Sequence, residues 1–294
     1  MRYQKRKITG LDILLGLLLL CAFLYLAYRV RVGLQYKWNW EVIPRYLFRY
    51  DPEKERWVAN LIMQGFFNTI RLSIWSTVLA MLFGTVMGFC RTGKSLFKRL
   101  LGGTYVEMIR NLPPLVLVFI FYFFVSDQIM PMLGVENFVR NASQTTRDVL
   151  TFLFAPPRFF SAFLSAMISL AIFEGAYITE IVRAGIQSVE KGQWEASSAL
   201  GFSWWQQMRH IILPQAIQRI LPALAGQFIS VIKDSSIVSV ISVQELTFQG
   251  MELMSATYLT FEIWITVSVL YLILTLTCSL AVEQLEIYMQ RNQS

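Results

Sequence analysis

An all-α membrane protein with about six transmembrane helices is the fold this sequence predicts, and three observations carry the prediction. Of its 294 residues, 55% are hydrophobic and only 15% charged, too apolar a composition for a soluble domain of that length. Apolar runs near residues 11–30, 60–90, 104–126, 159–186, 216–241 and 259–283 each reach the roughly 20 helical residues that cross a hydrocarbon core. Between the fourth and fifth runs lies a short polar segment whose pattern is that of a helix-turn-helix.

The first run follows Arg2, Lys5, Arg6 and Lys7, as a signal peptide would. No small-x-small cleavage site comes after it, and Leu20 before Cys21 spoils a lipoprotein site, so the sequence predicts an uncleaved helix. With the charged loop at 31–58 it forms an N-terminal unit, residues 1–58, ahead of a transmembrane domain at 59–294.

In the second run Arg71 reads as an interfacial snorkeler and Gly84-x-x-x-Gly88 as a notch for close helix packing. The segment from Gly88 through Gly93-Lys94-Ser95 also fits the phosphate-loop pattern. A working phosphate loop, however, follows a buried strand and opens a helix, whereas this first glycine ends a long apolar helix. The third run opens with Glu107-x-x-Arg110-Asn111-x-Pro113-Pro114. Glu107 and Arg110 are expected near the cytoplasmic surface, and the prolines kink or break the helix.

Glu174 lies about fifteen residues into the fourth run, roughly 22 Å along a helix and so near the midplane. An ionisable group there costs about 2.5–3.5 kcal/mol, which calls for a partner or a polar path. Either it receives a substrate's positive group beside small Gly175 and Ala176, or it pairs with a basic residue of another helix. Glu180 and Arg183, three apart, can form a local ion pair. In the fifth run Lys233 and Asp234 point about 100° apart and cannot simply neutralise each other, so at least one faces a cavity or a partner.

The polar segment divides at Gly201, whose missing Cβ permits a sharp turn between a helix at Gly192–Leu200 and a second one beginning at Ser203. Ser203-x-x-Gln206 is a capping box. Trp204, Met208, Ile211 and Ile212 share one face, which is expected to lie in a partner's groove, and Pro214 is expected to end the helix at Leu213. The plainer alternative is an amphipathic hairpin on the membrane surface.

Composition also excludes. Cys21, Cys90 and Cys278 are odd in number and fall in apolar runs, with neither disulfide nor zinc spacing. The +7 net charge is spread over loops and helix ends, which suits anionic lipid and offers no nucleic-acid face. His210 is the only histidine, and neither H-E-x-x-H nor G-x-S-x-G occurs, so an intramembrane enzyme ranks third, behind a transporter and a non-transporting receptor or scaffold of the same fold.

Glu195-Ala196-Ser197, then Gly201, then Ile211-Ile212-Leu213-Pro214, resembles the EAA loop of type I ABC importer permeases, with Ser197 in place of the alanine at its third position. The 175–186 stretch, Gly192-Gln193-Trp194, Lys233-Asp234-Ser235-Ser236, Thr69 to Ser73, and the Glu107 to Pro114 motif are similar to the polar-amino-acid branch of that family. The likeness covers about residues 60–285; the first helix and the 31–58 loop lie outside the common five-helix core. It implies a multi-pass permease of the bacterial cytoplasmic (inner) membrane, with the coupling loop at about 187–215 facing the cytoplasm. Glu195, Ala196, Gly201, Ile211, Leu213 and Pro214 would couple to two ATPase subunits, and Glu174, Gly175, Tyr177, Asn111, Lys233, Asp234 and Ser235 would border the amino-acid path. It further implies a second permease, identical or homologous, and an extracytoplasmic binding protein. No cofactor belongs to this chain, since ATP and magnesium are bound by the ATPases.

Overall fold

The computed structural model describes residues 10–33, 36–53, 55–93 and 95–291. Arg2, Lys5, Arg6, Lys7, Lys54 and Lys94 lie outside them. The chain divides into a unit ending at Trp40 and a larger one beginning at Glu41. The first holds α1 (Gly10–Gly33), a 24-residue apolar helix, followed by Trp38 stacked on Trp40 with ring centroids 5.9 Å apart.

The larger unit opens with α2 (Ile43–Leu47) and an antiparallel hairpin, β1 (Phe48–Asp51) and β2 (Arg56–Ala59), in register Phe48 to Ala59. The sequence predicts a loop here, because four-residue strands of mixed charge give no clear alternation. Then come α3 (Leu61–Thr92), α4 (Leu96–Asn111) and α5 (Pro114–Phe124). A π-helical turn leads to α6 (Met130–Met132), followed by α7 (Val135–Asn141) and α8 (Gln144–Leu153). The remainder is α9 (Phe160–Gln187), α10 (Lys191–Ala199), α11 (Trp204–Gln207), α12 (Leu213–Asp234), α13 (Leu246–Thr257) and α14 (Thr260–Arg291).

Among the described residues five helical stretches are long and apolar enough to span a membrane: Leu61–Thr92, Pro114–Met132, Pro157–Gln187, Trp204–Ile241 and Thr260–Gln284; α1 contributes a further apolar stretch, Gly10–Leu26. The all-α membrane class and the approximate helix count therefore hold. The arrangement centres on α9, where 61% of the most apolar stretch is buried, against 6% in α14.

Helices α3 and α9 form the most extensive pairing. Its closeness depends on the predicted glycine notch: a Cβ at Gly84 would lie 2.8 Å from the Gly175 carbonyl oxygen and from Ile178 Cβ, and one at Gly88 would lie 2.7 Å from Val182 Cγ1. Backbones that approach this far gain dispersion contact, which drives helix association where lipid removes the hydrophobic drive. Gly88 is thus interior to a packed helix, and the phosphate-loop spacing corresponds to no strand-to-helix turn.

Near the β-hairpin end of α3, Glu245 ties three helices together. Its fully buried carboxylate caps α13 by accepting from Thr247 N at 2.9 Å and Phe248 N at 2.7 Å, and it accepts from Tyr271 Oη of α14 at 2.7 Å. Thr69 of α3 completes the knot, its hydroxyl accepting from Leu246 N at 3.1 Å.

Pro214 does not end the helix as the sequence led us to expect. The chain runs helically from Trp204 to Ile241, and a π-helical turn at Met208–Ile212 precedes α12. The π turn shifts the hydrogen-bond register, with Leu213 N donating to Met208 O, so that Pro214 falls in the first turn of α12, where its missing N–H has no partner to lose.

Candidate functional site

Midway along α9, side chains from three helices converge on Glu174. Its carboxylate is fully buried; Gln227 of α12 donates to Oε2 at 2.6 Å, and the Asp234 carboxyl stands within hydrogen-bonding reach. Oε1 is buried without a donor among the described residues, and no Lys or Arg among them pairs with the group. One turn on, Tyr177 takes the Arg110 guanidinium over its ring at 5.5 Å and feels the charges of Glu174, Arg110 and Asp234 together. The cluster therefore offers a cation over the Tyr177 ring and, one turn back on α9, the buried Glu174 carboxyl.

In the structure α4 starts at Leu96, eight residues before the third apolar run, and runs back along α3 with Gly102 seated on the Arg91 stem, so that Arg110 lies about 21 Å along α4. The break at Leu112–Pro113 follows immediately and leaves the guanidinium exposed at the end of α4. Gln227, one amide in a polar stripe, is the residue of the cluster that the sequence does not single out.

Of the residues named from sequence, Glu174, Tyr177 and Asp234 come together. Gly175 faces elsewhere: a Cβ there would meet Tyr105 Oη at 2.9 Å and Phe83 Cδ1 at 3.2 Å. Asn111 donates back to the Glu107 carbonyl at 2.8 Å and to its carboxylate at 3.0 Å. Lys233 is exposed, and Ser235 is buried with its hydroxyl on Ile232 O at 2.7 Å. Asp234 and Lys233 thus diverge as their adjacency requires. Glu180 and Arg183 form the expected ion pair, at 2.6 Å, and Arg91 of α3 joins the same carboxylate.

The polar helix-turn-helix is formed by α10 and α11. Gly201 sits between them at φ +79°, where a side chain would be strained, and the Ser203/Gln206 capping box is present. Gln207 closes the turn, donating to Ser198 Oγ at 2.9 Å and to Phe202 O at 3.0 Å. Ser197, in place of alanine, is buried with its hydroxyl on Trp194 O at 2.9 Å. Glu195 and Ala196 are exposed on α10, Ile211 and Leu213 are half-buried, and Pro214 is exposed.

The apolar face assigned to a partner is instead used internally. Met208 and Ile212 are buried in a cluster with Ile186, Val189 and Ala216, against which Trp204 and Ile211 also pack. The turn at Gly201 folds that face back on the bundle. What remains outward is the turn itself, with Leu200 72%, Trp205 75% and Phe202 37% exposed.

Known proteins resemble this arrangement. Residues 80–289 match the family described as binding-protein-dependent transport system inner membrane component. The probable glutamine ABC transporter permease GlnM of Bacillus subtilis is 35% identical over 77% of this chain and 92% of its own length. The glutamine transport system permease GlnP of Escherichia coli is 34% identical over 77% and 91%. Among solved structures, an amino acid ABC transporter determined with histidines superposes with a TM-score of 0.62 at 32% identity, covering 78% of this chain and 94% of that one. The methionine ABC transporter MetNI shares the fold, with a TM-score of 0.57 at 16% identity over 78% and 96%.

Proposed function

The chain belongs to the binding-protein-dependent transport system inner membrane components, and from that premise we propose that it conducts a polar amino acid past Arg110, Tyr177, Glu174, Gln227 and Asp234. As a member it is a multi-pass permease subunit of an ATP-binding cassette importer, not an enzyme, and the family works with ATPase and binding-protein partners. The finer assembly is our inference. Two permeases, identical or homologous, sit on two ATPase subunits that hold ATP and magnesium, and an extracytoplasmic protein delivers the amino acid.

The observation that carries the substrate reading is the pairing of opposite charges around Tyr177. A zwitterion needs both: the Arg110 guanidinium suits its carboxylate, and the buried, unpartnered Oε1 of Glu174 suits its ammonium. The relatives named for glutamine make a neutral polar side chain the class we favour. Because Gln227 and Asp234 cover Glu174, the ammonium reaches it only when α12 moves away. The same helical run begins in the 187–215 hairpin, whose exposed Leu200, Phe202 and Trp205, with Glu195 and Ala196, we assign to the ATPase contact. Pro214, Ile211 and Leu213 transmit its movement into α12, Gly201 sets the turn of the hairpin, and Gly175 admits Tyr105 and Phe83 against α9. Asn111, Lys233 and Ser235 stand at the margin of the path.

Glu174→Gln in the complete transporter tests this. Loss of the charge-assisted contact weakens binding of the amino acid by about 1.5–3 kcal/mol while assembly persists. Unchanged affinity with a lowered melting temperature would make Glu174 a structural residue.

A further inference from the structure

Where α3 and α9 end beside the hairpin, they enclose with α4 and α10 a cavity of about 710 Å³. Of its 12 lining residues four are cationic, Arg91, Arg99, Arg183 and Lys191, and none is acidic. Glu180 stands behind the wall, with Arg91 on one carboxylate oxygen and Arg183 on the other. It offsets one charge of the four. Arg99 and Lys191 are exposed and have no ion-pair partner among the described residues.

The rim of the cavity is apolar. On the first turns of α4, Leu96 is 65% exposed, Phe97 74% and Leu100 58%, the degree of exposure expected of side chains that face hydrocarbon. A small soluble anion would satisfy the cations and leave this surface bare. A phosphate joined to acyl chains satisfies both, and basic pockets between spanning helices on the cytoplasmic side bind such headgroups.

We propose that the cavity holds the phosphate of an anionic phospholipid, its chains lying along Leu96, Phe97 and Leu100. Lys191 and Trp194 belong to α10, so the lipid bridges the root of the hairpin to the ends of α3 and α9. The assignment to the cytoplasmic leaflet rests on the coupling role proposed above; the binding itself does not.

The test is retention of phosphatidylglycerol by the purified complete transporter, read by native mass spectrometry after extraction from bilayers of phosphatidylglycerol and phosphatidylcholine. No turnover is needed, so a failed transport assignment leaves the result readable. Wild type retains phosphatidylglycerol over phosphatidylcholine. Arg99→Gln lowers that preference about five-fold, and Arg99→Gln with Lys191→Gln lowers it by roughly the square of that factor. Arg99→Lys restores it, and Arg49→Gln, on the exposed hairpin strand, leaves it unchanged. Equal retention of the two lipids by wild type, or a preference indifferent to the double substitution, overturns the proposal. Displacement by millimolar inorganic phosphate overturns it as well, because the cavity is then a soluble-anion site.

Discussion

Replacing Gly84 by alanine adds a single methyl group, and the structure shows where it would go. Its Cβ falls 2.8 Å from the Gly175 carbonyl oxygen, from Ile178 Cβ and from Ile178 Cγ2, well inside the roughly 3.5–4.0 Å at which such atoms attract. Two of the three obstacles are backbone or Cβ atoms, which no rotamer change removes. Overpacking of this kind costs about 1–3 kcal/mol, and the rigid obstacles place Gly84→Ala at the upper end. The gain of about 1 kcal/mol in helix propensity offsets part of it, leaving a net loss of about 2 kcal/mol. At about 2–4 °C per kcal/mol, the melting midpoint of the purified protein falls by roughly 4–8 °C. Gly103→Ala supplies the control: nothing lies within 4 Å of a Cβ there, so the same substitution in α4 stabilises by about 0.4–1 kcal/mol. Ile178→Ala does not rescue Gly84→Ala, since Ile178 Cβ and the Gly175 oxygen remain. A wild-type midpoint for Gly84→Ala, or full rescue by Ile178→Ala, would refute the packing argument.

Gly201→Val places a β-branched residue at φ +79°, which costs about 1–2 kcal/mol or more and re-aims α11; less ATPase subunit should co-purify, and normal recovery of the complex would remove this turn from the coupling path. Glu245→Ala strips the cap from α13 and leaves the Tyr271 and Thr69 hydroxyls with a missing partner, so stability falls by about 2 kcal/mol or more. An unshifted melting curve in detergent would show that α13 holds its place without that carboxylate.

How much was legible in the sequence depended on whether the deciding contact was local. The Ser203/Gln206 box, the turn at Gly201 and the Glu180/Arg183 pair each involve residues a turn apart, and each is present. The glycine notch is a longer-range contact, but small residues at a spacing of four have few other uses within a span. The failures were cases where distant packing decided. The start of α4 at Leu96 lies in a stretch of Lys98, Arg99 and two glycines whose polarity interrupts the apolar pattern. Pro214 looked like a stop because the π-helical turn that accommodates it has no sequence signature. The apolar face of Met208 and Ile212 had the right period for docking, but periodicity does not say whether a face meets its own bundle or another chain.

The notch at Gly84 and Gly88 also limits how the permease can divide in order to work. With no side chains between them at these points, α3 and α9 meet backbone to backbone, a contact that sliding or rotation would have to break. Under the proposed coupling the moving part is the 38-residue run from Trp204 to Ile241, with a third of its most apolar stretch buried against 61% for the stretch containing α9. It spans about 57 Å. One end adjoins the turn at Gly201 and Gln227, which covers Glu174, lies about 35 Å along it, so under the proposed coupling a push at the turn would reach the charged cluster through continuous helix rather than through a loop.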